Sequence, residues 1–238
     1  MKLAIMQPYF VPYIGYWQLM NAVDQFVVYD DVNFINRGWV NRNRILANGH
    51  PKYFNMPLLG ASQNKLIYEI EVNPDLSLIE KNIRRLENAY RKAPYYCDVM
   101  PLLKEILKCK ERKTSDYLVK SFEVICGYLD ITTKLVYSSS LKKDCGLKGK
   151  DKILSICRLL GAEEYFNPIG GKDLYSFQEF RRKGIQLKFL KSDDIVYRQF
   201  TDEFYANLSI IDVMMFNSRE QIKELLHMFT LLTEQGDD

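Results

Sequence analysis

The chain has 238 residues, 47% of them hydrophobic and 26% charged, which is the composition of a folded protein with a sizeable core and excludes a disordered chain. Its 33 Lys and Arg against 30 Asp and Glu leave a net charge of +3, so the overall field gives no reason to expect a polyanion partner. There is no run of about 18 apolar residues, and the apolar stretch before Gln7 and Pro8 is too short for a signal peptide, so a cytoplasmic protein with no membrane span is expected.

Short apolar runs at Leu3–Met6, Gln25–Tyr29, Tyr53–Pro57, Ile67–Val72, Thr133–Tyr137, Glu164–Asn167 and Ile185–Leu190 read as strands. Helix-length stretches fill the gaps at Ile14–Ala22, Lys150–Leu160 and Tyr175–Lys183. That alternation predicts an α/β fold: a parallel-rich sheet with crossover helices. Residues 75–130 differ, because "LIEKNIRRLENAYRKA" places Leu78, Ile79, Ile83, Leu86 and Tyr90 on one helical face and "DYLVKSFEVICGYL" continues the pattern. A helical insertion at 75–130 is expected within an α/β domain formed by 1–74 and 131–238. The last stretch, "SREQIKELLHMFTLL", reads as a closing helix capped by Asn217 or Ser218, with His227 packed inside it.

In an open parallel sheet, ligands bind beyond the carboxyl ends of strands. Four loops should meet there, at Gln7–Tyr13, Tyr29–Arg44, Ser138–Lys152 and Asn167–Tyr175. In the first, Gln7, Tyr9, Tyr13 and Tyr16 are candidate ligand contacts and Gly15 leaves room at the helix start; aromatic packing over the sheet edge stays open as the plainer reading. Asp30 and Asp31 end a strand, where a carboxylate can take a proton from a sugar ammonium or simply cap a turn. In "NRGWVNRNR", Arg37, Arg42 and Arg44 match phosphate oxygens, Asn36, Asn41 and Asn43 can read a sugar or base, and Trp39 can stack. An exposed polar strand is the alternative, and the same residue grammar would also serve nucleic acid.

Further along, Ser139, Lys150, Asn167, Gly170, Gly171 and Lys172 are candidates for phosphate or carboxylate binding, although neither glycine-bearing loop has P-loop spacing. The five cysteines lie at least twelve residues apart and the two histidines are His50 and His227, so no metal site is expected. Cys157 falls in an apolar helix and reads as core. Cys145, beside Lys142, Lys143 and Lys148, is placed where cations favour thiolate and thioester chemistry.

Two resemblances carry further expectations. The order strand, "PYIGY", helix, strand resembles the start of nucleotidyl-transferases and class I synthetases, with Tyr13 and Tyr16 at the two histidine positions of their His-x-Gly-His signature, and "YSSSLKK" resembles their Ser- and Lys-bearing loop. A phenol can donate a hydrogen bond but brings no positive charge. Over nearly the whole chain, "MQPYFVPYIGYWQLMNAVDQFVVYDDVNFINRGWVNRNRI", "GLKGKDKILSICRLLGAEEYFNPIGGKDLY", "GIQLKF" and "LSIIDVMMFN" resemble the WbqC-like family, bacterial proteins associated with O-antigen and other surface-polysaccharide gene sets. That resemblance implies transfer of an aminoacyl or acyl group onto the amine of a nucleotide-linked amino sugar. The co-substrate would be ATP or an acyl or aminoacyl carrier, with a carrier protein or charged tRNA as partner. The residue-level expectation gives catalysis to Asp30, Asp31 and Tyr13. An adenylate-forming amide ligase and a non-catalytic nucleotide-sugar-binding scaffold are the alternatives.

Overall fold

The computed structural model describes every residue except Cys145, Gln235 and Asp238, so the thiol considered for thioester chemistry, Cys145, lies outside the described residues. The chain begins with β1 (Lys2–Met6), α1 (Ile14–Asn21) and β2 (Gln25–Val28). A hairpin of β3 (Arg42–Ala47) and β4 (His50–Asn55), then a short pair of β5 (Leu58–Leu59) and β6 (Glu71–Val72), lead into α2 (Leu76–Tyr90), α3 (Tyr96–Leu107) and α4 (Thr114–Leu129). The chain continues through β7 (Lys134–Tyr137), α5 (Gly149–Leu159), β8 (Glu164–Pro168), α6 (Phe177–Arg181) and β9 (Gln186–Ser192). It closes with α7 (Ile210–Phe216), α8 (Arg219–Leu225), β10 (Phe229–Thr233) and β11 (Gly236–Asp237).

The strand order of the main sheet is β11-β10-β9-β8-β1-β2-β7. From β9 to β7 every ladder is parallel, and β10 adds antiparallel to β9. The fold is therefore α/β with a mostly parallel sheet, and α2–α4 form a helical insertion between β6 and β7.

Strand alternation sends side chains to two cores. Leu3, Ile5 and Val27 meet Ile153 and Ile156 of α5 and Phe180 of α6, whereas Ala4, Phe26 and Val28 meet Trp17 and Leu19 of α1 and Phe122 of α4. Burial on both faces explains why these strands read as continuous apolar runs. It also has a topological result: the helices that follow β1 and β8 pack on opposite faces, although the two strands are neighbours. Such a divergence opens a crevice at the carboxyl ends of the two strands.

Four expectations change. The closing helix stops at Leu225, and Phe229–Thr233 is instead strand β10, with Leu231 opposite Leu190; the β-favouring "FTLLT" finds the open edge of β9. His227 is accordingly exposed in the connecting turn and not packed in a helix. The run Ile67–Val72 is mostly a 3-10 turn over Ile67–Glu69, capped by Glu69 accepting the Leu66 N–H at 2.8 Å, with only Glu71–Val72 extended. The strand placed at Tyr53–Pro57 starts at His50 and pairs with β3 through Asn48 and Gly49, whose φ of 55° and 75° are those of a two-residue hairpin turn.

Candidate functional site

Beyond the carboxyl ends of β1, β8 and β2 lies a cleft of about 630 Å³, within the ordinary range for small-molecule sites. Its first wall is the loop after β1. Asn43 of β3 donates from Nδ2 to the carbonyls of Phe10 (3.1 Å) and Val11 (3.0 Å), and the Ser209 hydroxyl donates to Val11 O at 2.6 Å. Phe10 N–H is taken by Trp39 O at 3.0 Å. These bonds hold Val11 at φ 39°, an uncommon and costly conformation for a β-branched residue. In consequence Phe10 and Val11 are buried, while Tyr9, Pro12 and Tyr13 line the cleft with Gln7. Tyr16 also borders it, although its ring is 2% exposed and packs on Phe26; its hydroxyl donates to Gln7 O at 3.0 Å.

A second wall comes from the β3 hairpin. Arg44 reaches Asn207 O with Nη2 at 3.3 Å, while its buried Nε has no partner among the described residues. Trp39, 38% exposed, and Asn207 complete this side. The opposite wall follows β8, where Asn167 accepts from the Tyr165 hydroxyl at 3.3 Å and lies directly over Gly171; a Cβ on Gly171 would stand 1.9 Å from Asn167 Nδ2. Gly170, Gly171, Leu174 and Tyr175 continue this wall, and Tyr29, just past β2, and Ile153 of α5 join it.

The expected ligand contacts Gln7, Tyr9, Tyr13, Tyr16, Trp39, Arg44, Asn167, Gly170 and Gly171 thus stand around one cleft. Others lie elsewhere. Asn41 donates to Met56 O at 3.1 Å and Arg42 to Gly38 O at 3.1 Å, with the Arg42 guanidinium 4.4 Å from the Tyr53 ring centroid; both therefore build the hairpin. Arg37 and Lys172 are exposed away from the cleft lining, and Lys150 pairs with Glu179 at 2.6 Å.

The two aspartates do not line the cleft. Asp30 is buried and accepts both the N–H of Ser139 (2.9 Å) and its hydroxyl (2.7 Å); burial raises its pKa in spite of those bonds. For Asp31, burial also pushes upward, but the ammonium groups of Lys143 and Lys152 outweigh it and hold the carboxyl below its ordinary value. Lys143 sits 2.7 Å and Lys152 3.0 Å from its oxygens. Lys152 also lies 4.9 Å from the ring centroid of Tyr29, which does face the cleft.

Asn43, one of the asparagines expected to read a sugar or base, instead holds the loop after β1, and sequence reasoning missed Asn207, Tyr29, Ile153, Leu174 and Tyr175. Tyr29 and Tyr175 stood at the ends of segments already assigned to the sheet edge, which was a usable signal. Asn207 had none, since the chain from Asp193 to Leu208 has no regular structure and reaches the cleft only through the tertiary fold. Cys157 is fully buried and burial pushes its thiol up to about 12, as suits a core residue. Among the described residues, no group of three or more His, Cys, Asp or Glu side chains could hold a metal ion, and no helix is long and apolar enough to cross a membrane.

Comparison with known proteins adds a family. The uncharacterized protein Rv1507c of Mycobacterium tuberculosis (strain ATCC 25618 / H37Rv) is 27% identical over 221 residues, spanning 91% of this chain and 93% of its own. No solved structure matches the chain significantly. The model of the WbqC-like protein family matches residues 7–224, and the chain belongs to that family.

Proposed function

We propose that the protein is a transferase of bacterial surface-polysaccharide precursor synthesis, moving an aminoacyl or acyl group onto the amine of a nucleotide-linked amino sugar. The observation that carries this reading is the cleft at the divergence of β1 and β8, which is where open α/β sheets bind nucleotides. Arg44 is its single cationic side chain and no carboxylate is present among its described lining residues, so an anionic ligand would meet a counter-charge and no repulsion. Membership of the WbqC-like family is consistent with it.

In the reaction, the free amine of the sugar attacks the activated acyl carbonyl. A C–N bond replaces the bond to the activating group, and the surplus amine proton leaves with that group or to water. Tyr9 and Tyr13 border the cleft, and burial raises both phenol pKa values. They stay protonated near neutrality and can donate hydrogen bonds to the carbonyl oxygen as it gains charge. Asp30 and Asp31 are withheld from the cleft; Asp31 steadies Lys152 behind Tyr29, which is a positioning role. The acyl donor is a carrier thioester, a charged tRNA or an ATP-derived adenylate.

The test is thermal stabilisation by dTDP- and UDP-linked amino sugars, the bare nucleotides and Mg-ATP, followed by mass spectrometry of the amino sugar after incubation with each donor. A ligand at a hundred times its Kd adds about 2.7 kcal/mol to native stability. Stabilisation by a sugar nucleotide beyond that of its bare nucleotide, lost in Arg44→Ala, together with an acylated product, is expected. Stabilisation by ATP alone would replace this reading with an adenylate-forming ligase, and sugar-nucleotide binding with no transfer from any donor would replace it with a scaffold.

A further inference from the structure

The two sides of the cleft differ in chemistry. On the side of α5 and the turn after β8, the lining is Tyr29, Ile153, Pro168, Leu174 and Tyr175, with Asn167 the one amide side chain among the described residues. The facing side also has Pro12 and Trp39, but it adds Gln7, Tyr9, Tyr13, Asn207 and Arg44, the one cation among the described lining residues. A diphosphate placed on the first side would meet two phenols, one amide and otherwise hydrocarbon, with no cation to offset its charge. A nucleobase has the opposite make-up, with two apolar faces and one polar edge, and it stacks on aromatic rings.

We propose that the α5 side is a nucleobase subsite, in which a base stacks on Tyr29 and Tyr175, covers Leu174 and presents its polar edge to Asn167, so that the attached phosphates run toward Arg44. The rings are held in advance. Lys152 sits 4.9 Å from the Tyr29 ring centroid and is itself fixed by Asp31, through its carboxylate at 3.0 Å and its backbone carbonyl at 2.7 Å. Tyr175 stands edge-on to Tyr165 at 6.0 Å and to Phe180 at 5.7 Å. Leu174 is 69% exposed at the cleft margin, an apolar side chain that a bound base would cover. Asn167 reaches its place only because Gly171 has no side chain. The sugar end of this orientation rests on the function proposed above, whereas the base subsite would serve any nucleotide.

The experiment is calorimetric titration of the wild type, Leu174→Ala, Tyr175→Ala and Arg44→Ala with a UDP-linked amino sugar, UDP, ATP and the same amino sugar as its 1-phosphate. Tyr175→Ala is expected to weaken base-bearing ligands about tenfold and Leu174→Ala severalfold, the range of losing a base–aromatic contact, with the sugar 1-phosphate unaffected. Arg44→Ala is expected to weaken every phosphate-bearing ligand. Leu174 is exposed, so its variant keeps the test informative if Tyr175→Ala does not fold. Unchanged affinity for base-bearing ligands in both variants, an equal loss for the sugar 1-phosphate, or no base-bearing ligand bound by the wild type would overturn the subsite. Tyr175-dependent binding of ATP with no binding of the sugar nucleotide would uphold the subsite and remove the sugar-transferase reading. Binding of the sugar nucleotide and its 1-phosphate alike, independent of Tyr175 and Leu174, would do the reverse.

Discussion

The ring of Tyr13 lies across Gly15 so closely that a Cβ on the glycine would stand 2.5 Å from Tyr13 Cε2. Gly15 is in the first turn of α1, where alanine would ordinarily favour the helix by about 1 kcal/mol. Here the added methyl must displace the phenol from the cleft. Gly15→Ala is therefore expected to fold with stability within about 1 kcal/mol of wild type while losing affinity for the cleft ligand. Urea midpoints and titration of the same preparations check both halves; unchanged ligand affinity would show that Tyr13 has room to yield without consequence.

Asn43 holds the neighbouring strained segment. Its amide donates to Phe10 and Val11 carbonyls and its Oδ1 accepts the Arg44 N–H at 2.8 Å. Asn43→Ala leaves these buried backbone groups without their side-chain partner, which should cost about 2 kcal/mol or more. Val11, at φ 39°, then relaxes toward the allowed region, and the loop carrying Tyr9 and Tyr13 moves with it. The expected result is a lower urea midpoint together with weaker sugar-nucleotide binding. A destabilised variant that binds as tightly as wild type would separate the loop's conformation from recognition.

The sheet was legible because its central strands β1 and β2 are buried on both faces, so their sequences are continuous apolar runs of the right length. The C-terminal strand was not: "ELLHMFTLL" carries a helical period up to Leu225, and only the open edge of β9 decides that Phe229–Thr233 extends. The hairpin was readable in the Asn48–Gly49 dipeptide, whose positive φ values a two-residue turn requires. The cleft was half legible. Loops at strand ends announce themselves by position, but whether an arginine faces ligand or stacks on its own hairpin depends on register: Arg44 borders the cleft and Arg42 lies on Tyr53. The Asp30–Asp31 pair shows the same limit, since two adjacent carboxylates at a strand end look alike until one is found on Ser139 and the other between Lys143 and Lys152.

Lys152 is 10% exposed and Asp31 14%, so theirs is a shielded pair. Removing one partner of a buried pair leaves a charge uncompensated. Because Lys143 remains beside Asp31, Lys152→Met is expected to cost about 2–3 kcal/mol, at or below the usual range for such a loss. The folded pKa of Asp31 lies below its unfolded value, so its contribution is present above about pH 4 and is lost as pH falls through the lowered folded value. The stability gap between wild type and Lys152→Met should accordingly be widest near neutrality and shrink below about pH 4. Urea titrations at neutral and acid pH read this directly, and a gap independent of pH would assign the loss to packing alone.

Asp212 presents the opposite sign. Its side chain is fully buried, with Oδ1 accepting from the Tyr90 hydroxyl at 2.9 Å and Oδ2 from the Tyr197 hydroxyl and Gln199 Nε2, both at 2.8 Å. Gln199 in turn bonds both the N–H and the carbonyl of Tyr205, so the carboxylate anchors the irregular segment that delivers Asn207 to the cleft. Burial raises the pKa of Asp212 against the pull of these three donors. The native state then binds a proton more readily than the unfolded chain, whose aspartates titrate near 3.9, and stability from this group is full below that pH and falls as pH rises through the raised native value. Asp212→Asn removes the titration but turns one acceptor into a donor facing Gln199, which should cost about 1–3 kcal/mol. Wild type is thus expected to exceed Asp212→Asn by most at the acid end of this window and by less at neutral pH. The variant should also bind the cleft ligand more weakly as the segment bearing Asn207 loosens. A gap that widens with rising pH would mean that the three hydrogen bonds outweigh burial and that the native carboxylate is the favoured form.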